Sequence, residues 1–341
     1  MDYDTYQQDK QLIGKFRAAL YDCDASALPG QLREVLAPDC IVRVSTPFEE
    51  MDGPDGLFEQ GYRPLLNAIP DLERRDFIVI AGLSESEAWV GCAGHYMGVF
   101  EQPWLDIPPT RQPVAMRYHE FFRVVESRVV EMHAAWDIPQ LMMQAHAWPM
   151  APSLGVEWPA PAPATQDGIA ERPYDPAKTE ASVTLVRDML TDMGKHPLRG
   201  GPEVMQLERY WHPQMNWYGP AGIGTARSIA GFRRQHQIPF LKALPDRRVI
   251  LTGHGVMFGD GDYVATTGFP NMQMTVIGDG WLGIAPTQQP ITIRSLDFWR
   301  CENGLIRENW VLVDLLNVYQ QIGVDVFSRM REVTYARQPR M

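Results

Sequence analysis

The chain has 341 residues, of which 45% are hydrophobic and 21% charged, a length that suits two domains of about 150 residues, each with a real core. A net charge of −11 without a basic block excludes nucleic acid as a partner, because phosphate recognition needs clustered Lys and Arg. The longest uncharged stretches contain Pro, Gly, Gln and Asn and fall short of the roughly 20 apolar residues of a membrane span, so no membrane partner is expected.

Met1 is followed by Asp-Tyr-Asp-Thr-Tyr-Gln-Gln-Asp, without the basic start and apolar run of a secretory signal. A cytoplasmic location is the default expectation. Helical periodicity covers about Tyr6–Leu20 and Gln31–Leu36. A further helix follows the turn at Gly53-Pro54-Asp55-Gly56, and β-branched and aromatic runs at about 75–82, 87–100, 113–125 and 128–137 read as strands. From Trp148 to Pro176 the chain carries seven prolines and no sustained periodicity, which predicts an extended connector with Trp148 and Trp158 pinning it to a domain surface. Beyond it the order repeats. Helices are expected over Thr179–Met193, Pro202–Tyr210 and Thr225–Gln237, then strands near 247–258, 262–276, 289–302 and 305–314. The predicted division is a domain over 1–147, a linker over 148–176 and a second domain over 177–341. Helices followed by a meander of strands mean α+β, two tandem cone-shaped domains each with helices on one face of a curved, mostly antiparallel sheet.

The repeat is also one of sequence. Trp104-Leu105-Asp106-Ile107-Pro108-Pro109-Thr110 matches Trp281-Leu282-Gly283-Ile284-Ala285-Pro286-Thr287 at an offset of 177, which holds without a gap to Gln144 and Gln321. In that register Arg117, Phe121, Arg123, Glu131 and Asp137 meet Arg294, Phe298, Arg300, Glu308 and Asp314. Upstream the offset drifts to 175 at Pro70-Asp71 and Pro245-Asp246, as insertions in loops require.

Four scattered cysteines show no Cys-x-x-Cys, and eight histidines form no His-x-x-x-His or His-x-His pair. A protein-bound metal is not expected. The Gly-Pro-x-Gly-x-Gly stretch at Gly219–Gly224 lacks the Lys-Ser/Thr of a phosphate loop. Asn303-Gly304 between two strands signals a two-residue hairpin. With Glu302 opposite Leu305, an unbroken register sets Asp297 opposite Trp310 and Asp314 opposite Ile293, and in the first half Glu120 opposite His133. Glu308 and Asp314 are six residues apart on one strand face, about 20 Å, too far to act as one carboxylate pair. Asp314 ends the apolar run Trp310-Val311-Leu312-Val313. Lost hydration there would raise its pKa and suit it to proton transfer. Capping the following helix explains the same position equally well, and Asp137 repeats it in the first half. His236 on the predicted helix, His254, and the aromatic pair Trp217-Tyr218 are further pocket candidates, with Trp310, Asp297 and Trp299 on the hairpin strands. Between Gly56 and Pro64 the first half is about nine residues shorter than the second is between Gly222 and Pro239. That gap is expected to remove the segment that carries His236 and leave the first pocket degenerate.

The segments GHYMGVF and DIPPTRQPVAMRYHEFFRV of the first half, with NWYGPAGIGTARSIAGFRRQHQIPFLKALPD and GWLGIAPTQQPITIRSLDFWRCENGLIRENWVLVD of the second, resemble the SnoaL-like polyketide cyclases of the nuclear transport factor 2-like superfamily. The resemblance covers most of both halves. It implies a cone of helices and curved sheet, no cofactor, an apolar small-molecule ligand, and halves that pair through their sheets as an intrachain pseudo-dimer. It also implies an acid at the pocket floor serving as acid/base in intramolecular aldol ring closure. The final acid of its Glu-x-Trp-x-x-x-Asp pattern matches Asp314, with Glu308 and Trp310 in place. In the first half the pattern reads Glu131, His133 and Asp137, without the Trp.

Overall fold

Ile13, Phe16 and Leu20 recur at helical spacing and are all buried, forming the inner face of α1 (Tyr3–Tyr21). The computed structural model describes residues 3–169, 173–250, 255–278 and 281–337. After α2 (Leu28–Val35) come β1 (Leu36–Val44), β2 (Glu49–Asp52), α3 (Gly53–Gly56), a π-helical turn over Leu57–Tyr62 and α4 (Arg63–Ala68). Then β3 (Glu73–Ser84), β4 (Glu87–Val99), β5 (Pro113–Val125) and β6 (Arg128–Trp136) run to α5 (Ile138–Gln144). The sheet order is β2-β1-β6-β5-β4-β3, antiparallel except where β1 lies parallel to β6.

The second unit repeats this plan. In α6 (Pro176–Met193), Asp175 caps the N-terminus by accepting from the Lys178 N–H at 3.0 Å, and Val183, Val186 and Met189 turn inward. There follow α7 (Leu207–Tyr210), β7 (Trp211–Tyr218), β8 (Ala226–Arg227), α8 (Ser228–Phe232), a π-helical turn over Arg233–Gln237 and α9 (Ile238–Ala243). The remaining elements are β9 (Arg248–Val249), β10 (Val256–Asp260), β11 (Tyr263–Thr275), β12 (Pro290–Glu302), β13 (Leu305–Val313), α10 (Leu315–Gln321) and α11 (Val326–Arg337). The sheet runs β10-β11-β12-β13-β7-β8, with β9 on β11. The fold is α+β with two tandem cone-like units. Strands β1 and β7 were not foreseen, because Pro38-Asp39 and His212-Pro213-Gln214 break their apolar alternation. The helix expected from Thr225 begins at Ser228, after the short strand β8.

The hairpin turn is as expected. Asn303 and Gly304 both take positive φ, and Glu302 faces Leu305. The register beyond it is not. Cys301 pairs with Ile306 but Arg300 pairs with Glu308, so Arg307 is an extra residue. Asp297 therefore faces Val311 instead of Trp310, and Trp310 faces Phe298. The Asp314 N–H reaches the Arg294 carbonyl, not Ile293. The first half has the same bulge at Val130, which sets Glu120 opposite Ala134 and His133 opposite Phe121. A one-residue slip reverses which side chains share a face, and this decides the site.

The two sheets meet through Phe77, Trp89 and Phe121 on one side and Phe258, Phe298 and Trp310 on the other. Phe121 and Phe298, equivalent under the 177 offset, pack with ring centroids 5.1 Å apart and planes tilted by 36°. A Cβ added at Gly82 would lie 2.7 Å from the Gly259 carbonyl oxygen, so the backbones nearly touch there. The proline-rich segment is irregular and docked: the Trp310 Nε1–H donates to the Pro161 carbonyl at 2.9 Å, and the Val79 N–H to the Gly168 carbonyl at 2.8 Å. Trp148 is half-buried against the core, whereas Trp158 is exposed.

Candidate functional site

A cavity of about 380 Å³ opens inside the second cone, between its helices and sheet. Its wall is mostly Met, Leu, Ile, Val and aromatic side chains, with Trp211, Trp217, Trp281 and Trp299 among them, the composition of a small-molecule site. On β12 and β13, the cross-strand pairs Ser295 with Val313, Asp297 with Val311 and Trp299 with Asn309 lie side by side on its sheet wall. Asp297 is buried. Loss of hydration pushes its carboxyl up to about 7, against smaller opposing effects from the Ser295 hydroxyl and the charge of Arg117. The Ser295 Oγ–H donates to Asp297 Oδ2 at 3.1 Å and accepts from Asn271 Nδ2 at 2.6 Å. Among the described residues this is a three-member chain, amide to hydroxyl to carboxylate.

His236 sits on the π-helical turn and stacks on Trp217, with ring centroids 4.2 Å apart. Burial, with a lesser contribution from Arg247, holds its imidazole down to about 3, so it is neutral at physiological pH. Its Nδ1, Trp299 Nε1, Asn271 Oδ1, Gln237 Oε1 and Arg247 Nε are buried without a hydrogen-bond partner among the described residues. Such atoms are rare in folded proteins and mark sites that take a ligand or water. Among the described residues, no group of three or more His, Cys, Asp or Glu is placed to hold a metal ion.

Why the cavity exists in one half follows from residue exchanges. Along β5 and β12 the offset of 177 equates Tyr118 with Ser295, Glu120 with Asp297 and, on the next strand, Trp136 with Val313. The pairings of Tyr96 with Met116 and of Met272 with Ile293 equate Tyr96 with Met272. Arg74 likewise stands where the second half has Val249. The larger residues fill the first cone. There Glu120 accepts from Arg74 at 2.6 Å, from the Tyr96 hydroxyl at 2.7 Å and from Trp136 Nε1 at 3.2 Å. The expected register set Glu120 beside His133, but its ion-pair partner is Arg74, and His133 bonds Glu131 and Thr267. The π-helical turn is also present in both halves, contrary to the expectation that the first lacks it. Anchored on Pro64 and Pro239, it places Gly61 where His236 stands, and a Cβ at Gly61 would lie 3.2 Å from the Trp136 ring.

Of the residues singled out from sequence, His236, Trp217, Trp299 and Asp297 line the cavity together. Asp314, Asp137, Tyr218 and Trp310 do not, and His254 lies outside the described residues. Trp217 and Tyr218 are neighbours on β7 and point to opposite faces. Tyr218 instead donates to Glu308 at 3.1 Å and packs on Trp310 at 5.3 Å where the sheets meet. Asp314 is the N-cap of α10: its Oδ1 accepts from the Asn317 N–H at 3.1 Å, and its Oδ2 from the Thr46 N–H at 2.9 Å. Asp137 accepts from the Ala221 N–H at 3.0 Å, the reciprocal contact from the other half. Burial raises both carboxyls, with the Thr46 and Asn317 amides and Arg294 opposing at Asp314, and Arg117 opposing at Asp137. The void beside them measures about 10 Å³, room for roughly one water and no organic ligand. Asp314→Ala is expected to cost about 1–3 kcal/mol in urea unfolding, from the lost cap and an orphaned Thr46 N–H. Ser295, Asn271, Arg247, Gln237 and Asn309 escaped the sequence reading. The two-residue excess of β11 around Pro270-Asn271, visible in the change of offset, was the available signal for Asn271.

Among solved structures, similarity extends to single halves. A protein from Jannaschia Sp. CCS1, named as a candidate SnoaL-like polyketide cyclase, is 18% identical over 40% of this chain and 91% of its own, with a TM-score of 0.35. IdmH from Streptomyces antibioticus, named as a candidate polyketide cyclase, is 19% identical over 41% and 99%, with a TM-score of 0.35. An NTF2-like protein from Burkholderia thailandensis E264 is 16% identical over 40% and 96%, with a TM-score of 0.32. No curated protein matches the chain. The family model described as SnoaL-like polyketide cyclase matches twice, over residues 15–145 and 201–322, and with both units and most of the sequence so accounted for, the chain belongs to the SnoaL-like polyketide cyclase family.

Proposed function

We propose that the second half is a cofactor-independent acid/base site of the polyketide cyclase type, acting on an apolar carbonyl compound, with Asp297 as the proton carrier. The observation that supports this most is a carboxyl group pushed up to about 7 and facing an apolar cavity of about 380 Å³. A base with that pKa is half-ionised at neutral pH, where general base catalysis is most effective. The ionised carboxylate takes a C–H proton next to a carbonyl, and the bonding pair moves to the enolate. The enolate carbon attacks a second carbonyl of the same molecule. The alkoxide so formed regains the proton from Asp297, and the sum is an isomerisation without a co-reactant. Ser295 and Asn271 orient the carboxylate, and the unpartnered Trp299 N–H is a donor for the developing oxyanion. The halves are proposed to pair as an intrachain pseudo-dimer, in which the first cone is a filled partner. Four free cysteines suit a reducing, cytoplasmic setting.

The test is proton exchange on β-tetralone in deuterium oxide, followed by NMR against a buffer control. Exchange is expected above background, rising through pH about 7 as Asp297 ionises and then levelling. Asp314→Asn should leave it intact. Ligand uptake without exchange at any pH would make the protein a carrier and not an enzyme.

A further inference from the structure

Besides the acid Asp297, the cavity lining carries a cationic side chain, Arg247. Arg247 follows α9 and is only 7% exposed, and it lines the cavity. One terminal nitrogen donates to the Met193 carbonyl at 2.6 Å, the other lies 4.0 Å from the Met272 sulfur, and Nε has no partner. Among the described residues no carboxylate forms an ion pair with it. Every other strongly buried arginine among the described residues does better: Arg74 has Asp76 and Glu120, Arg300 has Glu308, and Arg117 has Asp137 with three backbone carbonyls. A buried guanidinium with five donors and no anion is expensive to keep, and an apolar wall gives it nothing to bond. Its position in the first half is informative. The corresponding residue is Leu72, an apolar side chain buried in the first cone.

We infer that Arg247 is an anion-recognition residue, and that the ligand of the second cone is an apolar molecule bearing a carboxylate. The guanidinium supplies the bidentate, charge-assisted contact that planar carboxylates favour. It anchors one end of the ligand while the carbon acid lies near Asp297. This rests on the reading of the cavity as the ligand site, but its test is a binding preference and needs no turnover.

The probes are 2-naphthoate and 2-naphthalenemethanol, equal in shape and different in charge, titrated against the fluorescence of the cavity tryptophans. At pH 6, below the Asp297 pKa of about 7, a second carboxylate is not repelled. Wild-type protein is expected to bind the carboxylate at least about tenfold more tightly than the alcohol. In Arg247→Met the two should bind within about twofold of each other, with alcohol affinity unchanged. A cationic analogue, 2-naphthylmethyl-trimethylammonium, should bind wild-type protein more weakly than the alcohol, a measurement that needs no variant to fold. Equal binding of carboxylate and alcohol, binding of neither, tight binding of the cation, or a preference that survives Arg247→Met would each overturn the inference. Exchange on β-tetralone can persist through any of these, so the two readings fail separately.

Discussion

Asp297→Asn is expected to lose β-tetralone exchange by at least about a hundredfold and, at the same time, to make the protein more stable at pH 8. The first effect is the removal of a general base, worth about 10²–10⁴ in rate. The second follows from the same burial. The carboxyl titrates at about 7 in the folded protein against 3.8 when unperturbed, so folding favours the protonated acid. Below 3.8 the group costs nothing. From there stability falls as pH rises, and above about 7 the full difference of roughly three pKa units applies, about 4 kcal/mol. Asn keeps the shape and the contact with Ser295 without the charge. Urea unfolding at pH 8 should therefore show the variant more stable than wild type by up to about 4 kcal/mol, and the gain should shrink at pH 5. A gain independent of pH, or exchange that survives, would remove Asp297 from the role proposed for it.

Arg74→Met is expected to cost about 3–5 kcal/mol. The guanidinium lies at the centre of the first cone, 2.6 Å from Glu120 and 3.0 Å from Asp76, with its carbon 4.2 Å from the Tyr118 ring centroid. At Asp76 burial works to raise the carboxyl, but Arg74, Arg17 and the Tyr118 hydroxyl outweigh it and hold the group below its ordinary value. Without Arg74, buried Glu120 loses its ion-pair partner, and among the described residues Asp76 is left paired with Arg17 alone. Arg74 helps hold the Asp76 carboxyl below its ordinary value, a contribution that is lost as pH falls, so the loss should be largest near neutrality and smaller at pH 4. Adding Glu120→Gln should recover part of it. Unfolding curves of the single and double variants at both pH values check the pattern, and a pH-independent loss would point to packing alone.

The duplication, the hairpin turn and the main meander were legible in the sequence because each is local or self-similar: Asn303-Gly304 fixes its own turn, and the 177 offset needs no structure. The site was only half legible. His236, Trp217, Trp299 and Asp297, singled out from the sequence, line the cavity, whereas Asp314, the leading acid, does not. Its apolar neighbours Trp310 and Leu312 are buried between the sheets and not around a ligand. An apolar run reports burial without saying against what. Arg247 was invisible for a related reason. Only the three-dimensional arrangement shows that no carboxylate among the described residues forms an ion pair with it.

The extra residue in each hairpin has a consequence for how the two halves can change. Arg307 and Val130 set the parity of everything downstream on β13 and β6. Removing either would exchange inside for outside along that strand, sending Trp310 or His133 toward its own cone and Asn309 or Met132 toward the opposing sheet. Such a deletion is not a local lesion that the rest of the cone absorbs. It rewrites the interior of one unit and the mating face of both, so the bulge is a shared constant that neither copy is free to lose alone.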